Sequence, residues 1–348
     1  MRTRKIPVMR MSRWTRRGIA LAVLVWLTVG RVLETRRLAE EMPHDGAQAL
    51  AGRLDAERML ADVRVLASSR FEGRATDAPG GALASAFVAT RFRELGLTPF
   101  GGQYEQPFQF LHRSVRAIWR QNRPFSRTFT QARNIVGYVP GRTQPDEFVV
   151  VSAHFDHLGV YRREVYAGAD DNASGTAALL ALAAWVQAHP LDRTVVFAAF
   201  DAEELGLRGA RAFVSALPFP KERLRLDLNI DMIGRADFGR VFVSGVRYHP
   251  DLLLPIVEHA ARTSAVSVHL GHDRPMLLTG LIDNWTMASD HGAFHEAGIP
   301  FLYFGVEDHP DYHRPTDTPD RINAETFGKV AATILDALRT LDAGWPAP

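Results

Sequence analysis

A chain of 348 residues that is 46% hydrophobic, with 27 Gly and 20 Pro, has the material for one large α/β domain or two smaller ones. Its formal net charge of +2 conceals a division: residues 1–40 hold ten of the 41 Lys/Arg and two of the 39 Asp/Glu, leaving 31 basic and 37 acidic residues, a net −6, for the rest. A body of that sign shows no basic face for a nucleic acid, and with no cysteine in the chain its metal ligands would have to be imidazoles and carboxylates.

The basic charge belongs to a leader, residues 1–37, built around Gly18–Gly30, GIALAVLVWLTVG, thirteen residues without a charge. That is the length of a signal-peptide core and short of the ~20 apolar residues of a membrane span. No A-x-A site follows, Thr28-Val29-Gly30 being a weak substitute, and Arg31, Arg36 and Arg37 continue the basic run. The leader reads as an export signal, with an uncleaved tether to the inner membrane as the alternative. Either places the body outside the cytoplasm, periplasmic or secreted.

Residues 38–62, rich in Ala, Leu, Glu and Arg, read as a helical stalk or linker, and residues 63–345 as the domain. Leu66–Arg74 is a polar turn, and Gly80–Leu97 has helical spacing with a stop at Gly96. Gln106–Leu111 and Asn134–Val139 read as strands, with a basic, irregular hairpin or loop between them. Glu147–Ala153, EFVVVSA, reads as a strand buried on both faces, ending at His154-Phe155-Asp156-His157. Gly168–Asn172 is a tight loop and Ser174–His189 a helix. Thr194–Phe200 is a second doubly buried strand, ending at Asp201-Ala202-Glu203-Glu204, and Leu205–Ala216 continues as loop and helix. Leu224–Ile230 is a strand ending at Asp231; Val241–Gly245 is a strand and Asp251–Thr263 a helix. Residues 271–289 read as a long loop suited to a substrate wall. Ala293–Ala297 is helical, Pro300–Gly305 a strand, Glu307–Asp320 a polar loop and Ala324–Leu341 a closing helix. Strands alternating with helices give an α/β sandwich.

One pattern recurs: His154 and Asp156, Glu203 and Glu204, and Asp231 each stand at a strand's carboxyl end, where open α/β sheets place their ligand site. Asp170-Asp171 and His313 lie in loops able to reach the same rim. Crowded carboxylates need a cation or a proton, and these donors suit Zn²⁺ or a similar ion. They are too many for one tetrahedral site, whereas two ions sharing a bridging carboxylate use five.

SAHFDHLG, GADDNASG, FDAEELGLRGA, NIDMIG and SDHGAF…YHRPTDT resemble, in order and spacing, the motifs of the co-catalytic di-zinc aminopeptidases, family twenty-eight of the metallopeptidases. The resemblance covers about residues 134–335, and Leu66–Phe108 is similar to the family's usual N-terminal portion. It implies a single three-layer α/β/α domain with a central mixed, mostly parallel sheet, two Zn²⁺ ions, and removal of N-terminal residues from peptides with a free N-terminus. Carried over residue by residue, His154 and Asp231 hold one zinc, Glu204 and His313 the other, and Asp171 bridges, with a cis bond to Asn172. Glu203 is the general base acting on a metal-bridging water, and Asp156 orients His154. Thr286, Asp290 and His291 fall where substrate is expected. Thr286 stands where some relatives place a tyrosine, which leaves the second oxyanion donor open.

A lone histidine beside a site more often bonds backbone than metal, which is the reading for His157 and also for His291. Asp170 replaces Asp171 if the GADD register shifts, and His309 is the rival of His313. Asp201 reads as a turn cap. A glutaminyl-peptide cyclotransferase on the same scaffold, and a catalytically dead receptor or binding domain, are the competing functions.

Overall fold

Val149, Val151 and Ala153 pack on one side of their strand and Val150 on the other, and Val195, Phe197 and Ala199 alternate in the same way with Val196, Ala198 and Phe200. With a period of two, such strands need cover on both faces of the sheet. The computed structural model describes residues 40–42, 54–114, 125–273 and 284–344. The leader, including the apolar run 18–30, and most of the expected stalk lie outside the described residues. No helix among the described residues is long and apolar enough to cross a membrane.

The strands are β1 (Thr98–Pro99), β2 (Glu105–Ser114), β3 (Phe125–Val139), β4 (Gln144–His154), β5 (Arg193–Phe200), β6 (Leu224–Ile230), β7 (Arg240–Ser244), β8 (Ser267–Leu270) and β9 (Phe301–Gly305). They lie in the order β8-β7-β9-β6-β4-β5-β3-β1, with β2 paired to β3. The middle is parallel, β6 and β5 flanking β4 and β9 running along β6. The pairings of β3 with β5, β1 and β2, and of β7 with β9, are antiparallel. The expected mixed sheet is therefore present, its parallel part concentrated where the strands leading to His154, Glu203-Glu204 and Asp231 emerge.

Helices α1 (Ala56–Leu66), α2 (Pro79–Leu95), α3 (Gly175–Ala188), α5 (Pro250–Thr263) and α7 (Ala324–Gly344) bury apolar side chains in a core on one face. On the other face α4 (Arg208–Ser215) contributes Ala210 and Phe213, and α6 (His291–Glu296) contributes Ala293 and Phe294. This is the three-layer sandwich. Met59, Leu60, Val63 and Leu66 of α1 belong to the core, so the boundary expected at residues 62/63 falls inside a helix of the body.

Three features differ from expectation. β8 is a four-residue strand, too short for its alternation to stand out. β2 and β3 are longer than the apolar runs suggested, because the far end of β3 carries exposed residues. A ribbon of Gly159–Tyr161 and Glu164–Tyr166 occupies a stretch left unassigned.

Candidate metal centre

Because β5, β4 and β6 are parallel neighbours, their carboxyl ends deliver His154, Glu203-Glu204 and Asp231 to one edge of the sheet. Asp171 arrives from the turn Ala169–Ser174 and His313 from the loop after β9. The turn is over-determined. Asp317 accepts the N–H groups of Asp170 and Asp171, and the Asn172 amide donates to Ile230 O while its Oδ1 accepts from Gly175 N and Met232 N. The Asp171–Asn172 peptide bond is cis, as the resemblance implied. Ala202, Met232 and His313 have left-handed φ of 61°, 57° and 53°, backbone strain of the kind that collects at functional sites.

His154, 1% exposed, places Nε2 3.3 Å from Asp231 Oδ1 and 3.6 Å from Asp171 Oδ1. His313 Nε2 lies 3.0 Å from Asp171 Oδ2 and 3.4 Å from Glu204 Oε2. The two oxygens of Asp171 thus face two separate groups of ligand atoms. Donors at about 2.0–2.1 Å round a tetrahedral zinc are about 3.3 Å apart, close to these four separations. Asp171 Oδ2 and Asp231 Oδ1 are buried and accept no hydrogen bond of good geometry. Such orphaned oxygens are what a cation would satisfy. The residues present fit zinc.

The electrostatics agree. Burial opposes charge on both histidines, yet Asp231 and Glu203 hold His154 well above its ordinary value, and the adjacent Asp171 and Glu204 carboxylates raise His313 to about 10. Burial works to raise Glu204, but hydrogen bonds from His157 and His313 overcome it and hold it well below the carboxylate range. Glu203 is pushed well above that range by burial, against the pull of His154. The two adjacent glutamates are therefore shifted in opposite directions.

The profile of peptidase family M28 matches residues 134–338, and every residue of this cluster lies inside that span. The chain belongs to peptidase family M28. Aminopeptidase YwaD of Bacillus subtilis (strain 168) is similar to this M28 chain, 31% identical over 222 residues that make up 60% of this chain and 45% of the relative. The chain therefore spans less than half the length of that relative. In fold it is similar to an aminopeptidase from Aneurinibacillus sp. strain AM-1, with a TM-score of 0.64 and 17% identity over 83% of this chain and 94% of that one. It is also similar to the glutaminyl cyclase of Fimbriiglobus ruber, with a TM-score of 0.62 and 20% identity over 82% and 95%.

Within this M28 site some expectations shift. Asp170 is turned away, its Oδ1 accepting from Gly234 N and Ser174 Oγ and its Oδ2 3.2 Å from His309 Nε2, so both rivals are spent on each other. The Asp156 carboxylate lies 3.7 Å from His154 Nδ1, while its own backbone O is nearer at 3.2 Å. That carboxylate also accepts the N–H groups of Glu203 and Glu204, so it bears on the glutamate pair as well as on the histidine. Asp201, the expected cap, accepts from Thr76 Oγ1 and Arg133 N.

The cleft over the cluster, about 370 Å³, is lined by Gly206, Leu207, Arg211, Met232, Met287, Ala288 and Tyr312 besides the carboxylates and His313. Thr286, Asp290 and His291 do not line this cleft. The Thr286 hydroxyl is taken up by Tyr248 and Asn284. Asp290 is wholly buried, and the His291 ring bonds Trp285 O and Asn229 Oδ1. His157 stands closer to the cluster than a backbone-bonded histidine would, its Nδ1 2.8 Å from Glu204 Oε1 and 3.6 Å from Asp171 Oδ2. Its three-residue spacing from His154 was the available signal. Tyr312, stacked on His313, went unnoticed because it reads as a loop aromatic.

Proposed function

We propose that this peptidase is a di-zinc aminopeptidase that removes N-terminal residues from peptides. The observation that carries the reading is Asp171, whose two oxygens face two ligand groups. His154 and Asp231 would hold one ion, Glu204 and His313 the other, and Asp171 both. His157 bonds the remaining oxygen of Glu204 and keeps that carboxylate in place. When bound, zinc lowers the pKa of water and polarises a carbonyl.

The chain's own residues supply the rest. Glu203, whose backbone is fixed by Asp156, takes the proton of the attacking water and returns it to the leaving amine. The apolar wall of Leu207, Met232 and Met287 receives a side chain. The balance is one peptide bond and one water consumed, one amino acid and one shortened peptide formed. Residues 1–37 would carry this activity out of the cytoplasm.

The glutaminyl cyclase of the same fold makes that chemistry the second reading. One screen separates them: aminoacyl anilides and short peptides, including ones that begin with Gln, with and without a chelator, read by mass spectrometry. Release of the first residue from free but not N-acetylated substrates, abolished by the chelator, is expected. Loss of ammonia from Gln-peptides without cleavage would replace the proposal by the cyclase. Turnover of none would favour the receptor domain.

A further inference from the structure

The turn between α1 and α2 contributes nothing to the cleft wall, yet it buries an arginine beneath the metal centre. Arg74 is 0% exposed. Glu72, Gly73 and Arg74 are consecutively left-handed, with φ of 47°, 65° and 53°. A Cβ on Gly73 would stand 2.3 Å from Tyr166 O and 2.6 Å from Gly159 O, so the turn is pressed backbone to backbone against the 159–166 ribbon. A non-glycine residue held in that region costs free energy and persists only where its surroundings enforce it.

From there the guanidinium spends all five N–H donors on backbone carbonyls. Nε donates to Phe155 O at 2.7 Å. Nη1 donates to Leu66 O at 3.0 Å and Ala167 O at 2.6 Å, and Nη2 to Gly168 O at 2.8 Å and Asp171 O at 3.4 Å. Arg74 O in turn accepts from His157 N. Phe155 lies between His154 and Asp156, and Gly168 begins the turn that carries Asp171. One rigid fork therefore ties together the two loops that hold His154 and Asp171. A planar guanidinium spans such a fan of acceptors, while a lysine ammonium has three donors at a single point.

We infer that Arg74 is a positioning residue for the metal centre, fixing the separation of the His154 and Asp171 loops and with it the affinity for zinc. The inference rests on the reading that both residues are ligands. A mainly structural arginine predicts something else: lost stability with unchanged zinc affinity in the folded protein. Arg193 provides the comparison, since it is 2% exposed, donates to Asp342 O at 2.7 Å, and sits at the opposite end of β5.

The test uses the full chain, stripped of metal, as wild type, Arg74→Lys, Arg74→Met and Arg193→Met. Zinc affinity is read by competition with a chromophoric chelator, and Tm without metal is read on the same samples. Both Arg74 variants should bind zinc about 10–100-fold more weakly, Lys less affected than Met, as for other groups that orient ligands. Arg193→Met should lose Tm and keep its affinity. Wild-type affinity in Arg74→Lys and Arg74→Met would overturn the inference. So would failure of both to fold where Arg193→Met folds, because Arg74 would then serve the fold first. If the wild type takes up no zinc, it is the ligand reading that fails, and the inference falls with it.

Discussion

Zinc binding to this chain should expel protons, and their number can be worked out. Without metal, His154 is held well above its ordinary value and His313 at about 10, because each imidazolium stands among carboxylates where a cation belongs. At pH 7.5 His313 is then almost fully protonated and His154 is shifted the same way, whereas a histidine at the ordinary 6.5 would carry only about 0.1 proton. A ring nitrogen must be unprotonated to bind zinc. Filling the His313 position should therefore release roughly one proton, and His154 adds to that count. The sign follows: zinc competes with protons, so affinity rises with pH up to the metal-free value of about 10 for His313 rather than levelling off near 6.5. The constant for the ion held by His313 should gain roughly one power of ten per pH unit, about 1.4 kcal/mol, and His154 steepens the dependence in the same direction. Calorimetric titration with zinc in buffers of different ionisation enthalpy counts the protons directly. A count below about 0.5 at pH 7.5 would refute the reasoning, because the histidines would then be neutral without metal and the crowded acids compensated in another way.

The adjacent glutamates should separate cleanly. Glu203→Gln keeps shape and metal but loses the proton acceptor, so metal content should stay at the wild-type value while kcat falls roughly 10²–10⁴-fold. Glu204→Gln should lose metal and regain part of its activity in excess zinc; the opposite pattern would exchange the two roles. Fusing residues 1–45 to a reporter active only after export should give signal outside the cytoplasm, and a silent reporter retained in the cytosol would refute the export reading.

Much of the centre was legible because its signals are local. Strands buried on both faces read as uncharged runs, and the acids and histidine that end them can only be delivered to the carboxyl edge, so β4, β5 and β6 announced their own rim. What the sequence hid depends on side-chain direction. Whether Asp170 or Asp171 faces the cluster turns on which carboxylate reaches Gly234 N and Ser174 Oγ, contacts made across the fold. Asp156 does lie beside His154, as its two-residue spacing suggests, but its oxygens also accept Glu203 N and Glu204 N, which no spacing signals. Thr286 follows the same logic: its sequence position suggests the cleft, while its hydroxyl is satisfied by Tyr248 from a separate segment. Arg74 was read only as part of a polar turn, because all its acceptors are backbone carbonyls, which leave no trace in composition.

The claim at the centre of this account is that one carboxylate serves two ions, and metal analysis of single variants tests it most directly. Elemental zinc per chain should be about two in the wild type, fall to about one in Asp231→Ala and in His313→Ala, and fall to near zero in Asp171→Ala while the protein stays folded. Asp171→Ala retaining one tightly held ion, or a wild type that saturates at one with full activity, would contradict it.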